Sequence, residues 1–312
     1  MPHRVAPRAP RRLLGAVMLG LALTLLAANA VNGWWPRRSA SAPAAPQPAS
    51  PIPPAPAAPV ALAADTGPAP TAPEPPVPAA ATSTGGEPLN RDVWTVPARY
   101  QGHIIRGRVR HFPDKLLALT FDDGPDPTVT PRVLAALTQH GAHATFFVLG
   151  RQARAHPELL RAIVQGGHAL GHHSYSHRAR YSAAEAADEL ERTCALIEQA
   201  AGLRPTLFRP PYGITDTHLC TLALQGGHAA ILWTISSADS RPIGADVIAR
   251  NVIHTPNPGD IVLMHDGPGH SATAEALPQI LGELGAAGFR FVTIPELLQA
   301  WDRWLSEQEV SQ

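Results

Sequence analysis

Two adjacent aspartates, Asp122 and Asp123, and two histidines four residues apart, His173 and His177, are the residues best suited to hydrolytic chemistry. Two imidazoles and one carboxylate occupy three positions around a divalent ion and leave others open, the pattern of a catalytic rather than a structural site. Their hardness suits zinc, with cobalt or another borderline ion as the alternative. A histidine pair at this spacing is by itself more often a surface or packing feature. In a helical turn both imidazoles would point the same way.

The second carboxylate needs a different task. Side chains alternate along a strand, so adjacent aspartates serve one site only at a strand's end, and Gly124-Pro125 supplies the turn there. One carboxylate can then bind the ion while the other accepts a proton from water. Arg209 would keep that base ionised by charge pairing. His265 is placed to protonate a departing amine.

These residues require a scaffold, and the periodicity from Trp94 onward describes one. Short apolar runs at Leu116–Phe121, Ala144–Leu149, His168–Gly171, Thr206–Phe208, Ala229–Ile235, Asp260–Met264 and Arg290–Ile294 read as strands. Segments with apolar residues every three or four positions lie between them: Pro131–Gln139, Pro157–Gln165, Ala183–Ala200, Thr217–Leu224, Ala245–Ile253 and Ala274–Gly285, with Pro295–Leu305 last. Ser182 and Glu185 form a capping-box pattern, and Gly141, Gly166-Gly167, Gly202, Gly226-Gly227 and Gly288 stop helices. Strands alternating with helices imply a parallel sheet. The fold class is therefore α/β, a distorted seven- or eight-stranded β/α barrel, with a doubly wound open sheet as runner-up. On it Asp122-Asp123, His172-His173, Arg209, Asp239 and His265-Asp266 fall at or just beyond five strand ends, the face where such barrels place their active sites.

The motifs resemble a known family. Thr120-Phe121-Asp122-Asp123-Gly124-Pro125, His173-Ser174-Tyr175-Ser176-His177, Arg209-Pro210-Pro211-Tyr212-Gly213 and Leu263-Met264-His265-Asp266 are similar, in order and spacing, to motifs of the polysaccharide deacetylases, the NodB-homology domains of carbohydrate esterase family 4. The resemblance covers roughly Lys115 to Leu298. It implies removal of N-acetyl groups from amino-sugar polymers, with Asp122 as base, Asp123, His173 and His177 as metal ligands, Arg209 orienting the base, the Tyr212 backbone amide aiding oxyanion stabilisation and His265 as acid. The fourth motif departs: Trp233 to Ser240 places Ser236 where an aspartate often supports the catalytic histidine, and Ser240 where an aromatic wall is expected. Asp239 is the remaining carboxylate able to substitute.

Other side chains carry blander readings. His172 reads as supporting its neighbour rather than ligating, and Asp266 as a structural hydrogen-bonding residue. His140, His143, His156, His218, His228 and His254 read as solvated, Trp301 and Trp304 as core anchors, and Tyr175 and Tyr212 as candidates to line a groove. Cys194 and Cys220 read as small buried residues in helices, with one disulfide open to an exported domain.

The N-terminal third has another character. Arg4, Arg8, Arg11 and Arg12 precede an uncharged apolar run from Leu13 to Val31, about long enough to span a bilayer, which takes ~20 residues. Ala28-Asn29-Ala30 offers a cleavage site, but Trp34, Trp35, Arg37 and Arg38 read as interfacial anchors and favour a retained inner-membrane anchor. The next stretch holds 15 of the 34 prolines, between Pro43 and Pro88, and reads as a disordered, semi-extended spacer. The expected division is 1–38 anchor or signal peptide, 39–93 linker and 94–312 catalytic domain. It places the domain outside the cytoplasm in a bacterial cell envelope, or secreted if the N-terminus is cleaved. A net charge of zero argues against nucleic acid, and nothing indicates an oligomeric state. The expected partner is an N-acetylated glycan. Two alternatives remain: an O-acetyl esterase with the same site, and a metal-containing but impaired glycan-binding protein, which Ser236 and Ser240 motivate.

Overall fold

A computed structural model describes residues 94–254 and 256–311. The anchor, the cleavage site and almost the whole linker expected from the sequence lie outside those residues. Among the described residues, no helix is long and apolar enough to cross a membrane.

The strand β2 (Leu116–Asp122) is buried at all of its positions, as befits a central strand covered on both faces. Around it stand β1 (Ile104–Ile105), β3 (Ala144–Val148), β4 (Ala169–His172), β5 (Leu207–Phe208), β6 (Ala229–Ile231), β7 (Ile235–Ser236), β8 (Asp260–His265) and β9 (Arg290–Phe291). Their order is β1-β6-β5-β4-β3-β2-β8-β7, every described pairing is parallel, and β9 joins β2 at Leu116 and Leu117, below the point where β3 takes over at Leu119. The result is a parallel sheet curled into a half-barrel. The expected α/β barrel is thus recovered, although β1 and β7 share no described ladder. The run Ala229–Ile235 forms two strands, because the chain leaves β6 after Ile231 and joins β8 only at Ile235.

Among the described residues, eight α-helices cover the sheet: α1 (Thr130–Gln139), α2 (Gly150–Ala155), α3 (Pro157–Gln165), α4 (Ala183–Ala201), α5 (His218–Gln225), α6 (Ala245–Ile253), α7 (Ser271–Ala286) and α8 (Ile294–Val310). Proline at the first turn starts α1, α3 and α8, where a missing N–H costs nothing. The Ser182–Glu185 capping box forms as expected, and Thr293–Glu296 makes a second one. Gly202 ends α4 at φ 71°, a left-handed turn that glycine enters without strain.

The two faces of β2 have different fates. Leu117, Leu119 and Phe121 pack with α1, α3 and α7 residues such as Val133, Ile163 and Leu277. Leu116 and Ala118 face a second cluster with Phe147, Ile231, Ile261 and, from α8, Leu297, Leu298 and Trp301. Trp301 is buried and Trp304 packs beside it, as expected of core anchors. Both cysteines are buried free thiols, so the disulfide left open above does not form. Among the histidines expected to be solvated, His228 is instead buried, on the turn entering β6.

Candidate active site

Five strand ends carry the polar cluster. Asp122 closes β2 and pairs in register with His265, the last residue of β8. Asp123 follows at φ 72°, a left-handed conformation that turns the chain so both carboxylates reach one side. Ser174 (φ 66°), His177 (φ 60°) and Tyr212 (φ 58°) share that region without being glycine. Such residues cost about 1–3 kcal/mol each and persist where the surroundings over-determine them. His173 and His177 are not on a helix, contrary to the expected helical turn. Their imidazoles converge because the loop after β4 coils tightly through Ser174.

That loop is held by groups that a motif search passes over. Buried Glu189 of α4 accepts hydrogen bonds from the Tyr175 and Ser176 amides at 2.7 and 2.8 Å, and from Ser176 Oγ at 2.6 Å. Ser174 Oγ accepts from the His177 amide at 2.9 Å and from Tyr181 Oη at 3.2 Å.

His173 Nδ1 donates to the Arg209 carbonyl at 2.7 Å, which leaves the Nε2 lone pair facing the site. Nε2 lies 3.1 Å from His177 Nε2 and 3.7 Å from Asp123 Oδ1, while His177 Nε2 lies 3.5 Å from the same oxygen. Asp123 Oδ1 is buried without a hydrogen-bond partner. Burial outweighs the pull of Asp123 and lowers the His173 imidazole to about 3, keeping it neutral. Three inward-facing electron pairs around an unsatisfied oxygen fit a divalent cation.

Asp122 is 3% exposed, and its Oδ1 accepts from Arg209 Nη1 at 2.8 Å. Arg209 is fully buried, donates from Nε to the Ile231 carbonyl and from Nη1 to Thr120 Oγ1, and lies 4.2 Å from the centre of the Phe147 ring. Burial nonetheless pushes the Asp122 carboxyl above its usual range, against the opposing charges of Arg209, His265 and His177. Arg209 therefore tempers a basic carboxylate rather than simply holding it ionised.

Across from it, His265 resolves the question raised by the altered fourth motif. Its Nδ1 donates to Asp239 Oδ1 at 2.7 Å, and its backbone amide donates to Oδ2 at 2.8 Å. Thr273 Oγ1 donates to that same Oδ2 at 2.7 Å. Burial alone would lower the imidazole, but Asp239 overcomes it and raises His265 to about 9, aided by Asp122 and Asp123. Ser236 is exposed and accepts only from the Ala238 amide at 3.2 Å. The expected support is thus present, from Asp239 and not from position 236.

The remaining candidates fall around this core. Tyr212 is 63% exposed, with its ring 4.5 Å from that of His177, a position that can line a groove. Tyr175 is only partly exposed and lies under the Arg192 guanidinium at 3.9 Å. Asp266 is buried against Thr130 Oγ1 at 2.6 Å, and burial followed by the charges of Asp122 and Asp123 raises its carboxyl to about 7. It stands behind the site, as a structural residue would.

The polysaccharide deacetylase family profile matches residues 110–231. A peptidoglycan-N-acetylglucosamine deacetylase of Bacillus cereus is 38% identical over 220 residues, covering 68% of this chain and 95% of the relative. The chain belongs to the polysaccharide deacetylase family. Other polysaccharide deacetylases support the same placement: a chitooligosaccharide deacetylase of Bradyrhizobium is 37% identical over 57% of this chain and 89% of its own. The solved structure of a peptidoglycan N-acetylglucosamine deacetylase superposes with a TM-score of 0.60 at 33% identity, covering 64% of this chain and 94% of that one. A family pseudoenzyme from Bacillus anthracis superposes with a TM-score of 0.57 at 31% identity, over 62% and 68%. Family membership alone therefore does not decide turnover. Asp239 and His265, which bear on that point, lie beyond the profile match.

Proposed function

We propose that residues 94–312 form a metal-dependent hydrolase that removes N-acetyl groups from amino-sugar glycans of the bacterial cell envelope. One observation carries the reading: a basic buried carboxylate, Asp122, and a charged imidazole, His265, flank the cluster of Asp123, His173 and His177. A glycan-binding protein has no use for that pair.

Asp123, His173 and His177 would hold the ion, zinc or another borderline divalent metal. When bound, it supplies the Lewis acidity that acidifies water and polarises an acyl carbonyl. Asp122 accepts the proton of the attacking water at its carboxylate, with Arg209 fixing the Oδ1 direction. His265 gives its Nε2 proton to the leaving amine, and Asp239 stabilises the imidazolium beforehand through Nδ1. The left-handed turn at Tyr212 would aim its amide at the developing oxyanion. The relatives named for peptidoglycan and chitooligosaccharide substrates support N-acetylglucosamine polymers as the substrate class. The apolar segment 13–31 would tether the domain to the inner membrane through the proline-rich linker.

The purified protein, supplied with zinc or cobalt, should release acetate from N-acetylglucosamine oligomers and peptidoglycan faster than from an O-acetylated glycan. Release from the ester alone would make it an O-acetyl esterase, and release from neither would refute the hydrolase reading.

A further inference from the structure

The residue beside His173 has no part in this chemistry. Successive strand residues face opposite ways, and His172 packs away from the site with its ring 4.7 Å from Phe208 and 5.1 Å from His228. It is fully buried, and neither of its ring nitrogens has a hydrogen-bond partner. A neutral imidazole carries one N–H and one lone pair, and both are unmet here. Buried polar groups are rarely left so.

Two further ligand types converge on the same spot. His228 Nδ1 donates to the Ala223 carbonyl at 3.0 Å, the arrangement that frees Nε2 to bind a metal. That Nε2 lies 3.8 Å from the buried Cys194 Sγ. Donor atoms of His172, Cys194 and His228 all lie within 4.8 Å of one another. Two donors bound to one ion at about 2.0–2.3 Å stand about 3.3–3.8 Å apart, so the sulfur–nitrogen distance already fits, and a His172 donor lies within 4.8 Å of both.

We propose that His172, Cys194 and His228 form a second, buried cation site, separate from the catalytic cluster, for a borderline-to-soft ion such as zinc(II) or copper(I). Two imidazoles and a thiolate select that class over magnesium or calcium. Binding replaces the Cys194 thiol proton with the metal–sulfur bond and releases the proton to solvent; the neutral imidazoles donate lone pairs and lose none. Burial holds the free thiol up at about 11, so the thiolate forms only with a cation to compensate it. The ion would staple α4 and the turn entering β6 to the end of β4, directly behind His173. With three such buried ligands, it enters as the chain folds.

The test is to produce the full chain in cobalt-supplemented medium, remove loosely held metal and measure cobalt per chain with the absorption spectrum. The expected result is two ions per chain with a thiolate-to-cobalt charge-transfer band, falling to one ion without the band in Cys194→Ser and in His228→Gln. If the catalytic cluster held no metal, the wild type would carry one ion with the band and Cys194→Ser none, so the two claims are separable. A wild type without the band, which requires no variant to fold, overturns the proposal. A band that persists unchanged in Cys194→Ser overturns it equally.

Discussion

Replacing Asp239 with asparagine tests the acid half of the mechanism while preserving shape. The carboxylate takes three hydrogen bonds, from His265 Nδ1, the His265 amide and Thr273 Oγ1. It is also what overcomes burial and raises His265 from 6.5 to about 9. Without its charge, burial prevails and the imidazole falls to its ordinary value of about 6.5 or lower. At pH 8 a group titrating at about 9 is about nine-tenths protonated, and one at about 6.5 is about 3% protonated. Asp239→Asn should therefore lose about thirty-fold or more in kcat/KM at pH 8 if only the protonated acid is competent. At pH 6 the same arithmetic leaves less than about a twofold difference for a value of 6.5. The assay is acetate release from N-acetylglucosamine oligomers across pH 5.5 to about 9.5, at saturating metal. A bound cation shifts both profiles in the same direction, so the comparison survives it. A loss of equal size at every pH would assign Asp239 a purely structural role and contradict its part in keeping His265 protonated.

Three further outcomes follow from the same geometry. The raised His265 value also stabilises the fold: the contribution is complete below about pH 6.5 and disappears as pH rises through about 9, amounting to about 3 kcal/mol. Denaturant titrations of wild type should weaken across that window, and Asp239→Asn should show a flat profile there. Glu189→Gln weakens the clamp on the Tyr175 and Ser176 amides and should lower metal affinity about 10–100-fold; excess metal should restore kcat, and an unchanged dissociation constant would refute the clamp. Arg209→Met strands the buried Asp122 carboxylate and should cost about 3–5 kcal/mol of stability, while raising the pH at which activity appears. Equal stability to wild type would show that Arg209 does not support the base.

Much of this was legible in the sequence because strand ends in a β/α fold collect on one face. Asp122, Asp123, Arg209 and His265 each follow an apolar run, and the topology brings them together. What was not legible depends on backbone geometry and on burial. The convergence of His173 and His177 comes from left-handed turns at Ser174 and His177, which periodicity does not encode. Glu189 sits among other acidic residues of α4, and only its contact with the loop after β4 distinguishes it. The role of Asp239 turned on register: the family resemblance put Ser236 where the supporting aspartate is expected and left Asp239 as the substitute, and the left-handed turn at Ala238 (φ 61°) carries the chain on so that Asp239 meets β8. His228 read as solvated with the other histidines of helix faces and loops, yet the turn drives it under α4.

In the proposed mechanism Asp122 moves the proton while its neighbour Asp123 helps hold the metal. The most direct measurement is acetate release by Asp122→Asn with metal content determined on the same sample. The expected result is metal at the wild-type level and turnover reduced about 10²–10⁴-fold. Wild-type turnover, or metal lost in step with activity, would contradict it.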